Sequence, residues 1–411
     1  MRWQLPSSAG RALIVRGELS ADTAIVGTGI SEVGRVYDKT APDYAADAVI
    51  AAIDDAGLTL DDIDGVVMSL GIMPDSTLIS ATLGLRNQRL SSKFTFTTPG
   101  GAGACAAVQQ AAMALHAGMA STVVYVHSDC PLREPGHSIS DVFAKNAAAG
   151  SGPTGIPGLS TASGLRGANP LYALAARRHM AAYGTTSEQL GAIAVAQRSW
   201  ATMNPLAQMR TPITIEDHQN SRPIAEPLRL LDCSLLSNGA AAFVITTAER
   251  ARHLRQPPVY VWGWGQCHPG YTMSRDSEFG LRSGATISGA AALSMAGIDV
   301  GAIGVRELYD CYTFTVLISL EDYGFVSKGE GGPAAATGAL GPDGSLPTNT
   351  GGGQLSAFYL WGATPLYEAV VQARGQAGER QVADHDFVLC SGNGGVLDHH
   401  ATLVLGAHPR T

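Results

Sequence analysis

Short apolar strand patterns alternate with alanine-rich helix patterns along most of this chain, and no other feature limits its fold as strongly. Thr23-Ala-Ile-Val-Gly27 predicts a buried strand that ends in glycine, and a helix pattern follows at 43–56. Two more strands, at 64–69 and 121–127, flank a helix pattern at 102–117. Because strand–helix–strand units bury a sheet under helices, we predict an α/β fold with a mixed, mostly buried sheet.

The same alternation returns in the second part of the chain, beginning near Pro257. The predicted elements are strands at 259–265 and 304–309, helices at 289–296, 313–323 and 363–374, and a final hairpin of strands 387–391 and 401–406 joined through 392–395. Both parts repeat strand, helix and strand with glycine-rich connections. We therefore expect two duplicated α/β/α layered halves.

The expected boundaries are an N-terminal extension at 1–21, a first half at 22–250 and a second half at 251–411. The alternation stops between about 130 and 230. There a loop rich in Gly, Ser and Pro at 150–158 precedes helix patterns at 170–183 and 187–204. We interpret this inserted loop domain as a cap over a site.

Composition excludes several classes of function. Of the 411 residues, 45% are hydrophobic and only 15% are charged, which favours a large buried surface and a subunit interface. A net charge of −8 without a basic tract argues against nucleic-acid binding. We recognise neither a signal peptide nor a membrane helix. The six cysteines lack CxxC spacing, so we expect no zinc site, no disulfide framework and a cytoplasmic location.

Two clusters carry the residues best suited to chemistry. In Asn349-Thr-Gly-Gly-Gly-Gln-Leu-Ser-Ala-Phe-Tyr-Leu-Trp-Gly362, a glycine run allows positive φ and close ligand approach, and Tyr359 follows it. The segment Glu307-Leu-Tyr-Asp-Cys-Tyr-Thr313 carries a second group of phenols and carboxylates. Together they predict an acid–base site without a metal.

Four strings resemble one known family. They are Arg222-Pro-Ile-Ala-Glu-Pro-Leu-Arg-Leu-Leu-Asp-Cys233, Glu307-Leu-Tyr-Asp-Cys-Tyr-Thr-Phe-Thr-Val-Leu317, Asn349-Thr-Gly-Gly-Gly-Gln-Leu-Ser356 and Ser391-Gly-Asn-Gly-Gly-Val-Leu397. With the order of elements, they make residues 22–406 resemble the thiolase superfamily, in the branch related to the thiolase domain of sterol carrier protein x. The resemblance implies a thiolase fold.

The departures from this family are as informative as the matches. Thiolases carry a nucleophilic Cys at the start of their first long helix, and the resemblance implies Gly101 at that place, with Cys105 one helical turn later. Tyr359 corresponds to their activating His, and Tyr309-Asp-Cys-Tyr312 to their Asn-Glu-Ala-Phe motif. Their late Cys corresponds to Cys390. Without a thiolate at the helix N-terminus, the acyl-enzyme route is closed.

A thiolase-like chain with these tyrosines resembles the lipid-transfer-protein type aldolases of bacterial steroid side-chain breakdown. The resemblance implies retro-aldol cleavage of a β-hydroxyacyl-CoA thioester, with Tyr309 and Tyr359 as catalytic phenols. CoA is then part of the substrate, and no other cofactor is expected. The resemblance also implies a partner with an OB-fold and a zinc ribbon, and a thiolase-like homodimer at the centre of a heterotetramer.

We expect one phenol to remove the hydroxyl proton and the other to protonate the enolate, without assigning which does which. Backbone N–H groups of the two glycine-rich loops are expected to bind the enolate oxygen. The further candidates each have a purely structural alternative. Asp310 is a candidate for orienting a phenol, and Cys390 is a candidate acid–base thiol. The candidate oxyanion-binding residues are Gly352, Gly353, Asn393 and Gly394, and His400 is the member of a strand His pair that is expected to face the site.

Two other functions compete with cleavage. One is thiolase-type acyl transfer, which would require Cys105 or Cys390 to act as the nucleophile. The other is a non-catalytic acyl-CoA-binding scaffold subunit, because aromatic loops near a CoA tunnel serve binding as well as chemistry.

Overall fold

The structure is a computed structural model that describes residues 19–70, 92–96, 100–132, 162–165, 167–269 and 278–410. Among these residues, nine strands form one mixed sheet in the order β3-β2-β4-β7-β1-β8-β11-β10-β9. The strands are β1 (Thr23–Ile30), β2 (Gly65–Leu70), β3 (Ser92–Phe96), β4 (Thr122–Asp129), the small separate pair β5 (Pro223–Ala225) and β6 (Leu228–Arg229), then β7 (Gly239–Thr247), β8 (Val259–Cys267), β9 (Val305–Glu307), β10 (Phe387–Gly394) and β11 (His399–Gly406).

Helices cover this sheet and form the inserted region. In chain order they are α1 (Ala41–Ala56), α2 (Gly103–His116), α3 (Ala168–Tyr183), α4 (Ser187–Thr202), α5 (Ile215–Asn220), α6 (Ala248–Ala251), α7 (Ala285–Ala296), α8 (Thr313–Asp322), α9 (Gly331–Ala336) and α10 (Ala363–Ala373). The predicted loop at 150–158 and nearly all of the predicted 1–21 extension lie outside the described residues. None of the described helices is long and apolar enough to cross a membrane.

A pair of alternate glycines repeats in the two parts of the sheet. A Cβ on Gly27 or Gly29 of β1 would lie 2.1 or 2.2 Å from a carbonyl oxygen of α1. A Cβ on Gly263 or Gly265 of β8 would lie 2.0 or 2.2 Å from a carbonyl oxygen of α7. Each strand therefore needs glycine at these positions, because its helix packs directly on the strand backbone.

The structure confirms the predicted mixed α/β architecture, and it corrects one connection. The last two strands form the predicted antiparallel hairpin, but β10 runs on through Gly394. Gly392, Asn393 and Gly394 pair with Ala401, His400 and His399, so residues 392–394 are strand and not loop. Glycine does not end the strand here, because the neighbouring strand continues the ladder.

Four segments meet at one end of the sheet. The short turn Gly100–Ala102 leads into α2, and the end of β9 leads into Leu308, Tyr309 and Asp310. The glycine loop (Asn349–Gly353) continues into a π-helical turn, Gly353–Ala357, before α10. The end of β10 completes the group. This convergence brings the two predicted chemical clusters together.

Candidate active site

The two predicted phenols are in direct contact. Tyr309 Oη lies 3.1 Å from Tyr359 Oη, within hydrogen-bonding distance. The Tyr309 side chain is buried, whereas Tyr359 is partly exposed. In such a pair one hydroxyl donates to the other, so one O–H remains free to donate to a ligand.

The Tyr309 ring fills the space that a side chain at position 101 would need. A Cβ on Gly101 would lie 2.1 Å from Tyr309 Cζ and 2.4 Å from the carbonyl oxygen of Asn393. Any side chain there, including a nucleophilic Cys, would overlap the phenol ring. The position of the Tyr309 ring therefore excludes a thiol at the start of α2.

Three contacts fix the segment that carries Tyr359. Its backbone N–H donates to Ser237 Oγ at 2.8 Å. Trp361 packs near the Tyr359 ring, with centroids 6.1 Å apart, and its Nε1–H donates to Asp129 Oδ2 at 3.0 Å. Trp361 has a φ of +52°, which is uncommon for a non-glycine residue. These roles of Ser237, Trp361 and Asp129 were not predicted from the sequence, because Ser237 and Asp129 lie more than a hundred residues from the segment that they contact.

Both phenols are neutral near pH 7. Burial, and then the neighbouring Tyr359, raises the pKa of Tyr309 well above its ordinary value. Burial also raises the pKa of Tyr359, with a smaller contribution from Cys311. A neutral phenol donates a hydrogen bond, and neither residue is a resting phenolate base.

Asp310 is hydrogen-bonded to the π-helical turn that follows the glycine loop, and not to either phenol. Its Oδ2 accepts hydrogen bonds from the backbone N–H groups of Gln354 at 2.8 Å and Leu355 at 3.3 Å. A Cβ on Gly353 would lie 2.1 Å from that oxygen, so glycine is required there. Burial raises the pKa of Asp310 to about 7, and the hydrogen bonds from Gln354 and Leu355 oppose this shift.

The four residues predicted to bind an oxyanion lie in the glycine loop, the π-helical turn and β10. The Gly352 N–H donates to the Asn349 carbonyl at 2.8 Å and is thus engaged within its own turn. Gly353 starts the π-helical turn, and Asn393 and Gly394 belong to β10. The Asn393 carbonyl lies beside the Tyr309 ring at Gly101. Asn393 Oδ1 is buried without a hydrogen-bond partner.

Helix α3 contributes a phenol, Tyr172, that was not predicted from the sequence. Tyr172 Oη donates to the Gly395 carbonyl at 3.0 Å and lies 3.4 Å from Asn393 Nδ2. Its ring packs on Tyr312, with centroids 4.6 Å apart, and Tyr312 Oη donates to Asn169 Oδ1. No motif marked Tyr172, since only the fold places α3 over this end of the sheet.

The two thiols near the site are buried and face each other. Cys105 Sγ and Cys390 Sγ are 3.8 Å apart, one on α2 and the other on β10. Burial, with a hydrogen bond to Cys105, raises the pKa of Cys390 well above its ordinary value. A thiol held in its neutral form is a weak nucleophile, which disfavours Cys390 as an acyl carrier.

The adjacent histidines of β11 point to opposite faces, as predicted. His399 is partly exposed, and its Nδ1 lies 2.9 Å from His268 Nδ1. His400 is buried, with Nδ1 3.0 Å from Ser288 Oγ and Nε2 without a partner. Within the described part of the chain, no hydrogen bond or ring contact joins His400 to either phenol. Among the described residues, no three His, Cys, Asp or Glu side chains are grouped to hold a metal ion.

Known proteins resemble this chain over nearly its whole length. Residues 265–407 match the family described as thiolase C-terminal domain-like. The 17-hydroxy-3-oxo-4-pregnene-20-carboxyl-CoA lyase of Mycobacterium tuberculosis is 37% identical over 395 residues, covering 94% of this chain and 100% of that protein. An acetyl-CoA acetyltransferase of Methanothermobacter thermautotrophicus is 34% identical, with coverage of 91% and 96%.

A solved structure, the Ltp2-ChsH2(DUF35) aldolase, superimposes with a TM-score of 0.82 at 35% sequence identity. The match covers 96% of this chain and 100% of that chain.

Proposed function

This chain belongs to the thiolase superfamily and is a carbon–carbon lyase of its aldolase branch, and from that premise we propose that it cleaves a β-hydroxyacyl-CoA thioester by a retro-aldol reaction. The products are a ketone and a shortened acyl-CoA. The proposed catalytic groups are the phenols of Tyr309 and Tyr359.

One observation carries this proposal. The Tyr309 ring fills the space of a side chain at Gly101, and its hydroxyl lies 3.1 Å from that of Tyr359. Where a thiolase would hold its nucleophile, this chain holds a pair of proton donors. Such a pair supports proton transfer and bond cleavage, and it is incompatible with a thiol at position 101.

The reaction removes one proton from the β-hydroxyl and delivers one to Cα, so it needs no net acid or base. The β-hydroxyl gives its proton to the first phenol oxygen, and the C–O bond becomes a carbonyl as the Cα–Cβ bond breaks. The electron pair of that bond passes to Cα as a thioester enolate. The first phenol passes its own proton to the second phenol, which protonates Cα.

Neutral phenols suit this relay. If the protons move together, neither tyrosine has to exist as a phenolate, so the raised pKa of each residue is not an obstacle. A phenol O–H also stabilises a developing enolate oxygen without adding a buried charge. We propose that the backbone around Gly353, Asn393 and Gly394 adjoins the thioester, because the Asn393 carbonyl lies beside the Tyr309 ring.

The comparisons support a steroid CoA ester as the substrate class and a second protein as partner. The relative from Mycobacterium tuberculosis is named for a pregnene carboxyl-CoA, and the solved aldolase is named for two proteins, Ltp2 and ChsH2(DUF35). We therefore propose that this chain works on a CoA ester with a bulky tertiary alcohol and binds a DUF35 protein.

A matched set of variants tests the mechanism. The protein, alone and with a DUF35 partner, is given a β-hydroxyacyl-CoA, and the ketone and shortened acyl-CoA are measured. Tyr309→Phe and Tyr359→Phe keep the rings and remove one hydroxyl each, so we expect kcat to fall by about 10²–10⁴-fold. Tyr367→Phe, on α10 with no hydrogen bond to the pair, is the control.

Normal cleavage by Tyr359→Phe would contradict the phenol mechanism. A trapped acyl-cysteine and inactivation by iodoacetamide would instead favour the acyl-transfer function of the acetyltransferase relative.

A further inference from the structure

A buried acidic cluster lies behind the glycine loop, next to the strand end that carries Tyr309. Glu307 ends β9, and Glu368 lies on α10; both are buried. The Thr350 hydroxyl lies between them, 2.8 Å from Glu307 Oε1 and 3.0 Å from Glu368 Oε1. Arg380 bonds to Glu368 through two nitrogens, Nε to Oε1 at 2.9 Å and Nη2 to Oε2 at 3.1 Å.

A fourth side chain fixes the direction of these hydrogen bonds. Gln372 Oε1 accepts from the Val382 N–H and from Gln381 Nε2, each at 3.1 Å. Its Nε2 is therefore the atom 2.8 Å from Thr350 Oγ1, and it donates to that hydroxyl. The hydroxyl itself has one proton, so it donates to only one of the two carboxyl groups. The other carboxyl group must supply its own proton.

The arginine identifies which group that is. Glu368 accepts hydrogen bonds from Arg380 through both of its oxygens, as an ionised carboxylate does. We propose that Glu307 is a protonated, neutral carboxylic acid that donates to Thr350 and so holds the glycine loop against the strand end that carries Tyr309. Glu307 is thus a positioning residue for the phenol pair, and in this respect the inference rests on the proposed function.

Several bonds at the same point join the two catalytic segments. The Thr350 N–H donates to Glu307 Oε1 at 3.0 Å, and the Leu308 N–H donates to Asn349 Oδ1 at 2.7 Å. The Asn349 N–H donates to the Arg306 carbonyl at 2.8 Å. Loss of the Glu307 proton would place two carboxylates against one hydroxyl and push this loop away. The distance between the two phenols would then change.

The charged and titratable groups around Glu307 favour its neutral form. Glu368 faces it from α10, Asp310 follows it in the chain, and Cys390 is its register partner on β10. Arg380 is already paired with Glu368. Burial, and then Glu368, raises the pKa of Glu307 well above its ordinary value, whereas the hydrogen bond from the Thr350 N–H opposes this shift.

The two carboxyl groups provide a matched experiment. Infrared spectra of the full chain, recorded at pH 8, should show the carbonyl stretch of a protonated carboxylic acid. We expect Glu307→Gln to remove this band. Because Glu368→Gln leaves Arg380 buried without its anion, we also expect it to lower the Tm by several degrees more than Glu307→Gln does.

A band that is absent from the wild type, or that persists unchanged in Glu307→Gln, would overturn the assignment. Neither readout depends on turnover, so the result stands apart from the fate of the proposed function.

The positioning role has its own test. We expect Glu307→Ala to lower kcat at least tenfold with little change in KM. We expect the kcat of the wild type to decline at alkaline pH as Glu307 loses its proton, and Glu307→Gln to retain most activity without that decline. An alanine variant that is folded and has wild-type kcat would refute the positioning role.

Discussion

The ring of Tyr309 packs against Gly101 so closely that position 101 has no room for a side chain. We expect Gly101→Ala to destabilise the protein by about 1–3 kcal/mol and to abolish cleavage, because the new methyl group overlaps the Tyr309 ring. Tyr309→Ala removes that ring, so Gly101→Ala should cost less in its presence, by the share of the clash that the ring causes and not the share from the Asn393 carbonyl. Chemical denaturation of both single variants and the double variant measures this coupling.

Additive effects in that cycle would show that the ring and the missing side chain do not compete for the same space. Gly103→Ala is a useful control, since the nearest atom to its Cβ, Ser69 Oγ, is 3.9 Å away.

At this scale the sequence was informative where chemistry and chain position coincide. Tyr309 and Tyr359 stood out because each follows a distinctive motif, and the structure places their hydroxyls together. The space left at Gly101 could not be foreseen from the sequence, because it depends on the path of a segment about two hundred residues away. Tyr172 and Ser237 were missed for the same reason.

One carboxyl group holds the start of the π-helical turn that follows the glycine loop. Asp310 Oδ2 accepts the N–H groups of Gln354 and Leu355, both buried. Asp310→Ala would leave these donors without a partner, at about 1–3 kcal/mol each, whereas Asp310→Asn keeps an oxygen acceptor. We expect the alanine variant to have a clearly lower free energy of unfolding at pH 7 and much faster hydrogen exchange at residues 354 and 355.

Equal exchange rates in the alanine and asparagine variants would contradict this role for Asp310.

Predicted elements agree well with the observed ones where hydrophobic periodicity determines them. The helix predicted at 363–374 is Ala363–Ala373, and the strand predicted at 259–265 is Val259–Cys267. The prediction failed for the run Gly392-Asn-Gly-Gly395, which has the composition of a turn. There the neighbouring strand continues the ladder and overrides local preference, an effect that no single-sequence pattern contains.

At the scale of the whole molecule, two buried histidines and two buried carboxyl groups have opposite effects on the pH dependence of stability. Burial lowers the pKa of His127 to about 4 and of His400 to about 3. Each favours the folded state fully above the unfolded pKa of about 6.5, and this stability is lost as the pH falls. The raised pKa values of Asp310 and Glu307 act in the opposite sense, with stability lost as the pH rises from about 4.

Between pH 5 and 6 the unfolded chain therefore holds two extra protons on histidines, and the folded chain holds two on carboxyl groups. We expect these contributions to cancel in the wild type. Asp310→Asn removes one folded-state proton, so its free energy of unfolding, relative to wild type, should fall by up to about 1.4 kcal/mol per pH unit as the pH decreases. Urea denaturation of both proteins at pH 5, 5.5 and 6 measures this difference. Parallel curves would mean that Asp310 is ionised throughout this range, and that its burial against the glycine loop does not hold a proton.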